Sequence, residues 1–383
     1  MQNFIFHNPT KIIFGRGTVP QIGPETAALG CRRALLIYGR ESIKKSGLHG
    51  QVTAALAQAG VTVIEHGGVS SNPLLSHVRE GIAKARAQQA DVIVAVGGGS
   101  VIDTAKAVAA GVPADGDVWD FFTYKQEVKA ALPITAVLTL AATGSEMNAG
   151  TVITNEATQE KFACTHRLLY PKTSILDPEL TFTVPPDYTA YGAADAIAHV
   201  LEFYMTTTDE DAPVQMDFME GLIRNAMRSC ERCLADPRDY GGRAALMWTA
   251  TLALNGLTGA GLGRTAFPMH MIEHSLSALY NVPHGAGLAV VVPAWLRWRL
   301  PQSEARIARL GQEVFGLAAD AEQTVLRLRG WLGSVGCPVT LAELKIPEAD
   351  IPRIAANAHA LARIWRLDNY SQADIEAVLR LCR

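Results

Sequence analysis

Residues 91–110 read DVIVAVGGGSVIDTAKAVAA. The apolar run 91–96 is typical of a strand buried on both faces of a parallel sheet. The glycines at 97–99 let backbone N–H groups approach an anion, and Ser100 opens a helix whose N-terminus favours negative charge. The stretch predicts a strand, a phosphate-binding turn and a helix. A turn capped by Ser100 and Asp103 is a structural interpretation that the same residues support.

The same alternation extends to both sides of this stretch. Short runs rich in β-branched or aromatic residues predict strands, and longer runs closed by glycine or polar residues predict helices. The predicted strands are 2–6, 10–14, 33–38, 61–66, 91–96 and 134–140, the predicted helices are 43–59, 74–88 and 101–110, and 152–154 with 161–164 predict a hairpin. Alternating strands and helices indicate an α/β domain with a doubly wound parallel sheet.

The pattern changes after Pro185 and Pro186, where strand signals become rare. The sequence predicts an all-α domain there, with helices at 188–206, 212–233, 241–260, 266–280, 286–299, 303–316, 320–335 and 371–382. Ser371 and Asp374 form a capping-box pattern before the last of these. We therefore divide the chain into an α/β domain, 1–185, and an all-α domain, 186–383.

Composition limits the classes of function. With 49% hydrophobic residues, 19% charged residues and a net charge of -3, the 383-residue chain predicts a large buried core and gives no electrostatic case for nucleic acid or membrane partners. Six scattered cysteines form no disulfide framework, and the single pair Cys230 and Cys233 is interpreted as incidental. No signal peptide or membrane span is evident, so a cytoplasmic location is expected.

Histidines mark a candidate metal site in the second half. Asp195 and His199 are four residues apart and project from one face of a helix. His270 and His274 repeat that spacing, and His284 follows ten residues later. Such ligands suit Fe(II) or Zn(II). Two alternatives remain at this point: packed core histidines, and the H-x-x-E-H signature of a zinc peptidase at residues 270–274.

A second glycine-containing turn, Thr143-Gly144-Ser145-Glu146, follows the predicted strand 134–140. Two such turns at strand ends of one sheet favour a dinucleotide in the crevice at that edge.

Six segments together resemble one family. They are NPTKIIFG, VGGGSVIDTAK, TLAATGSEMN, ILDPELTFTVPP, DAIAHVLEFY and HMIEHSLSALYNVPHG, and they run from residue 8 to residue 285. The sequence resembles the iron-containing (group III) alcohol dehydrogenases, and within them the NADP-dependent butanol dehydrogenase and broad-range aldehyde reductase subgroup. The resemblance implies a nucleotide-binding α/β domain, a helical metal-binding domain and a metal in the cleft between them.

The resemblance also implies roles for individual residues. The implied metal ligands are Asp195, His199, His270 and His284. The implied nucleotide-binding residues are Asn72, Gly97, Gly98, Gly99, Ser100, Asp103, Thr139, Thr143, Ser145, Asn148 and Lys161. The turn after the predicted strand 33–38 adds Gly39, Arg40 and Ser42 as candidates beside the adenosine ribose. His274 is left as the candidate for proton relay, with a packed histidine as the alternative. Glu202 is interpreted as a residue that supports the ligands or the helix packing, and for Lys161 the alternative is a solvated hairpin lysine.

The implied reaction is metal-dependent hydride transfer between NADPH and short- to medium-chain aldehydes or primary alcohols, by a homodimer. NADPH is expected over NADH because Arg40 stands where NAD-using members have an aspartate, and a guanidinium can pair with a 2′-phosphate. Glu41 is then expected to point to solvent. A metal-dependent lyase resembling dehydroquinate synthase and the zinc peptidase are the remaining alternatives.

Overall fold

The computed structural model describes residues 1–209 and 211–383. The chain folds into two compact units: His7–Thr183 form the first, and Met1–Phe6 join Val184–Arg383 in the second. Within the described residues, no helix is both long and apolar enough to cross a membrane.

The first unit is built on a six-stranded parallel sheet, which confirms the predicted α/β class. Its strand order is β1-β8-β5-β4-β2-β3, and β6 pairs with β7 as a separate antiparallel hairpin. The strands are β1 (Lys11–Phe14), β2 (Arg33–Tyr38), β3 (Thr62–His66), β4 (Val92–Gly97), β5 (Ile134–Leu138), β6 (Gly150–Asn155), β7 (Glu160–Thr165) and β8 (Thr173–Leu176). Every residue of β4 is buried, as expected for a central strand covered on both faces.

Helices connect these strands. They are α1 (Ile22–Ala28), α2 (Ser42–Lys45), α3 (Leu48–Gln58), α4 (Leu75–Ala87), α5 (Gly99–Gly111) and α6 (Trp119–Phe122). The single helix predicted at 43–59 is wrong, because Gly47 separates α2 from α3 with a φ of 79°. That left-handed conformation suits glycine and interrupts a helix. α5 begins directly after β4, so residues 97–100 form a tight link between strand and helix.

The strand predicted at residues 2–6 is also wrong. This segment has no regular secondary structure and lies on the second unit, where the Gln2 amide donates to the Gly261 carbonyl at 3.0 Å. Ile5 is 98% exposed. Strand-like composition is not sufficient, because a strand also needs a neighbouring strand along its length. The first six residues consequently group differently from the sequence-based division.

The second unit is helical, as predicted. Its helices are α7 (Pro186–Thr206), α8 (Pro213–Ala235), α9 (Tyr240–Ala253), α10 (Pro268–Tyr280), α11 (His284–Phe315), α12 (Ala321–Ser334), α13 (Ile351–Ile364) and α14 (Gln372–Arg380). The predicted helices 286–299 and 303–316 are one element, kinked where Ser303 leaves helical geometry two residues after Pro301. α13 was not predicted. The Ser371 capping box is present at the start of α14.

α10 lies inside the second unit. Ten consecutive residues, from Pro268 to Ser277, are buried. The helix ends at Asn281, which adopts a left-handed conformation with a φ of 53°. Only Val282 and Pro283 then precede α11, so His284 is the first residue of the next helix. This short link turns the chain back toward α10.

Candidate functional site

Three helices of the second unit bring four predicted ligands together. Asp195 and His199 lie one turn apart on α7, His270 lies on α10 and His284 starts α11. The first three side chains are almost completely buried, and His284 keeps a side-chain exposure of 20%. We call these four residues the Asp–His cluster.

The ring nitrogens of the cluster converge on one carboxylate oxygen. The Nε2 atoms of His199, His270 and His284 lie 3.6, 3.8 and 3.6 Å from Asp195 Oδ1. These separations exceed a hydrogen bond. Among the described residues, Asp195 Oδ1 and His270 Nε2 are buried atoms with no hydrogen-bond partner. Buried polar atoms are rarely left unpaired, so this arrangement calls for a bound ion.

The donor set and its spacing fit a small divalent metal. Histidine nitrogens and carboxylate oxygens bind zinc at about 2.0–2.2 Å, which places neighbouring ligands of a tetrahedron roughly 3.4 Å apart. The distances to Asp195 Oδ1 are close to that spacing. Asp195, His199 and His270 are also mutually within 4.8 Å through one ligand atom each.

The electrostatics of the cluster favour a positive charge at its centre. Burial alone would raise the pKa of the Asp195 carboxyl, but His199, His284 and His270 hold that pKa well below its usual range. Burial lowers the pKa of His199 to about 3, although Asp195 acts in the opposite direction. Burial also acts to lower the pKa of His270, but the carboxylates of Asp195 and Glu202 raise it to about 9.

Two further carboxylates touch the cluster from behind. Glu202 on α7 accepts hydrogen bonds from the His270 backbone amide at 2.8 Å and from its Nδ1 at 3.0 Å. Glu273 on α10 bonds His284 Nδ1 and accepts a hydrogen bond from Ser277 Oγ at 2.5 Å. Both glutamates are 0% exposed. Glu202 was interpreted from the sequence as a supporting residue, whereas the role of Glu273 was not found.

Glu273 also bears on the peptidase alternative. In the H-x-x-E-H signature this residue would be the general base of a metallopeptidase. Here its carboxylate is buried and engaged by His284 and Ser277, so it is not available to activate a water molecule.

His274 lies next to the cluster without belonging to it. Its side chain is 3% exposed, and its ring centroid is 5.7 Å from that of His284. The Trp365 ring meets it edge-on at 5.3 Å. Glu273, His274 and His284 form a second group whose ligand atoms lie within 4.8 Å of one another. The role of His274 as a proton relay stays a prediction.

The glycine turn, residues 97–100, lies at the carboxyl end of β4 in the first unit. A Cβ atom on Gly99 would meet Thr143 Oγ1 at 2.2 Å, and one on Gly97 would meet Val101 Cγ2 at 2.4 Å. Glycine is therefore required for both close approaches. The predicted cap by Ser100 and Asp103 is wrong: Gly98 is the N-cap and no side chain caps the helix. Ser100 Oγ instead donates to the Ser71 carbonyl.

Asp103 and Ser145 are engaged with the protein itself. Asp103 accepts hydrogen bonds from Ser145 Oγ at 2.6 Å and from the Val152 amide at 3.0 Å. Asn148 accepts from the Gly150 amide at 3.0 Å and donates to the Thr143 carbonyl at 3.3 Å. These side chains shape the loop that follows β5.

Lys106 organises the same loop and was missed from the sequence. Its Nζ lies 2.7–3.0 Å from four oxygens, namely Ser145 Oγ, Asn148 O, Asn148 Oδ1 and Gly150 O. The side chain is fully buried, and burial lowers its pKa to about 8 although Asp103 acts in the opposite direction. The signal was present: Lys106 is the single charged residue between Thr104 and Ala110 of an otherwise apolar run.

The remaining predicted nucleotide residues also lie in the first unit. Lys161 Nζ donates to Asn72 Oδ1 at 3.1 Å, and both side chains are buried, so the solvated-lysine alternative is wrong. The Thr139 amide donates to the Gly97 carbonyl at 3.0 Å, which ties the two strand ends together. Gly39 follows β2, Arg40 is exposed, and Ser42 begins α2.

Comparisons with known proteins cover the whole chain. A family model described as "Iron-containing alcohol dehydrogenase" matches residues 9–178, and one described as "Fe-containing alcohol dehydrogenase family, C-terminal" matches residues 189–383. The probable NADH-dependent butanol dehydrogenase 1 of Bacillus subtilis is 42% identical over 387 residues, with 99% of each chain covered. The NADPH-dependent aldehyde reductase YqhD of Escherichia coli is 35% identical, with 92% of each chain covered.

Solved structures give the same result. The crystal structure of NADH-dependent butanol dehydrogenase A from Thermotoga maritima matches with a TM-score of 0.96 and 43% identity, covering 100% of this chain and 99% of that one. The structure of the substrate- and cofactor-free aldehyde reductase YqhD from Escherichia coli matches with a TM-score of 0.88 and 31% identity, covering 100% of both chains.

Proposed function

Because this chain belongs to the iron-containing alcohol dehydrogenase family, we propose that it transfers a hydride between a nicotinamide nucleotide and short- to medium-chain aldehydes or primary alcohols. It is an oxidoreductase that uses a nucleotide cofactor and a metal. The lyase and peptidase alternatives are not favoured, since its similar relatives are alcohol dehydrogenases and aldehyde reductases. The observation that carries the proposal is the convergence of three histidine nitrogens on Asp195 Oδ1.

The metal would be held by Asp195, His199, His270 and His284, as Fe(II) or Zn(II). When bound, it polarises a carbonyl oxygen as a Lewis acid, and the nicotinamide supplies the hydride. The protein's part is to orient these four ligands and to keep bulk water from three of them. His274, beside His284, would pass the proton that the product oxygen needs.

The nucleotide would be held by the first unit. The backbone of the glycine turn and the N-terminus of α5 would face the pyrophosphate. The side chains proposed around it are Asn72, Ser100, Asp103, Thr139, Thr143, Ser145, Asn148 and Lys161. Lys106 would not touch the nucleotide but would hold the loop that carries Ser145 and Asn148.

We propose NADPH as the preferred nucleotide, with Gly39, Arg40 and Ser42 around the adenosine ribose. Arg40 is exposed at the carboxyl end of β2, where an arginine can bind a 2′-phosphate. Lys44 adds positive charge nearby, with its Nζ 5.3 Å from the centre of the Tyr38 ring. The names of relatives differ on this point: four that are 36–42% identical are called NADH-dependent, and YqhD is called NADPH-dependent.

Replacing Arg40 by aspartate tests this preference. A charge-assisted hydrogen bond contributes about 1.5–3 kcal/mol, so the ratio of kcat/KM for NADPH to that for NADH should fall at least about tenfold. Steady-state kinetics with both nucleotides measure it. The control is Lys129→Asp, which changes the charge by the same amount at an exposed position of the same unit. An unchanged ratio in Arg40→Asp would show that Arg40 does not contact the 2′-phosphate.

The activity itself is tested with protein stripped of metal and reloaded with Fe(II) or Zn(II). We expect short aldehydes to cause net oxidation of NADPH or NADH only after the metal has been reloaded. The absorbance of the reduced nucleotide measures this oxidation. If no aldehyde or alcohol is turned over with either metal and either nucleotide, the proposed reaction is wrong.

A further inference from the structure

Two of the three cluster histidines are backed by a buried carboxylate. Glu202 contacts His270 Nδ1, and Glu273 contacts His284 Nδ1. In both rings the opposite nitrogen, Nε2, points to Asp195 Oδ1. His199 differs: its Nδ1 has no hydrogen-bond partner among the described residues, and its ring stacks on His270 at 4.6 Å. Two of the three histidines therefore have a carboxylate at Nδ1, and the third does not.

The place of Glu273 is built by its neighbours. Ser277, one turn further along α10, donates to one carboxylate oxygen at 2.5 Å, while His284 bonds the other. Gly287 on α11 leaves room for this carboxylate, because a Cβ atom there would lie 2.6 Å from Glu273 Oε1. α10 and α11 thus approach closely around one buried charge.

We propose that Glu273, together with Glu202, is a positioning residue that fixes the tautomer and the ring orientation of a metal-binding histidine; the inference rests on the proposed metal site. A carboxylate that accepts the Nδ1 proton keeps that proton on Nδ1. The Nε2 lone pair is then free for the metal. The hydrogen bond also makes the imidazole a stronger donor to the ion.

A role in helix packing alone predicts a different behaviour. A glutamate that only joins α10 to α11 would, when changed, lower the free energy of unfolding and leave the affinity of the folded protein for metal unchanged. A positioning role predicts a change in metal affinity even where the protein stays folded.

Glu273→Gln separates the two roles, since glutamine keeps the size of the side chain and removes the charge. In protein stripped of metal, the affinity for Zn(II), measured by competition with a chelator, should fall about 10- to 100-fold. Nucleotide affinity, followed by NADPH fluorescence, should stay within about twofold, because Glu273 lies outside the unit that carries the glycine turn. Glu322→Gln, an exposed change in the same unit, is the control for Zn(II) affinity.

The tautomer has its own readout. With the histidines labelled with ¹⁵N, we expect a downfield Nδ1–H resonance that disappears in His284→Ala, which assigns it, and that shifts upfield in Glu273→Gln. Zn(II) affinity of Glu273→Gln within twofold of the parent, with the affinity of His284→Ala strongly reduced, would overturn the positioning role while leaving the ligand set in place. Unchanged Zn(II) affinity in His284→Ala would overturn both.

Discussion

Replacing His270 by alanine is expected to abolish stable metal binding and to lower hydride transfer about a thousandfold. Lewis-acid polarisation contributes several kcal/mol to the transition state, and about 4 kcal/mol corresponds to three factors of ten in rate. Nucleotide binding should persist, since the glycine turn belongs to the other unit. Metal content by mass spectrometry, nucleotide fluorescence and steady-state rates measure the three quantities.

The choice of histidine affects how cleanly this test is interpreted. His270→Ala leaves the buried Glu202 carboxylate without its ring partner, which costs stability in addition to the ligand. His199→Ala avoids this, because His199 Nδ1 has no hydrogen-bond partner within residues 1–209 and 211–383. The exposed His7→Ala is the control. Full activity with full metal content in both cluster variants would refute the ligand assignment.

Replacing Lys106 by methionine is expected to destabilise the first unit and to weaken nucleotide binding together. The change removes the cation from four oxygens and leaves Asp103 buried without a nearby positive partner on its own helix. Breaking a buried charged arrangement in this way costs about 3–5 kcal/mol. Urea denaturation should show that loss in the free energy of unfolding.

The Lys106→Met protein that remains folded gives the second measurement, which is the KM for the nucleotide. Because Ser145 and Asn148 lose their common donor, the KM for nucleotide should rise while the metal content of the other unit stays unchanged. Lys84→Met is the matched control, because Lys84 is exposed and its Nζ donates a hydrogen bond to the Glu65 carbonyl at 2.9 Å. A loss of less than about 1 kcal/mol in Lys106→Met would contradict the assigned role.

Local pattern was sufficient to predict the architecture. The strand at 91–96 is continuous in apolar residues because both of its faces are covered, and this leaves a signal that sequence alone reveals. In the helices after Pro186 apolar residues recur at helical spacing, and the four-residue separation of Asp195 and His199 is also a helical spacing. The elements that were predicted well depend on residues that are close together in the sequence.

Contacts between distant residues explain the rest. Lys106 meets oxygens about forty positions away, so its apolar helix indicates that the side chain is buried but not which oxygens surround it. Glu273 was noticed only as part of a zinc motif, because its pairing with His284 depends on how α10 and α11 pack. The segment 2–6 has the composition of a strand but finds its neighbours in the second unit. Composition describes what a segment can form, and packing decides whether it does.

The burial of α10 determines how its backbone amides exchange with solvent. A helix with ten consecutive buried residues has no face that can detach into water while the rest of the unit stays folded. Its amide hydrogens should therefore exchange with solvent only through unfolding of the whole unit, among the slowest in the chain. His270 is carried by this slow segment, whereas His284 stands at a helix end that keeps some contact with water. Spontaneous openings that release or admit an ion would begin at the His284 end.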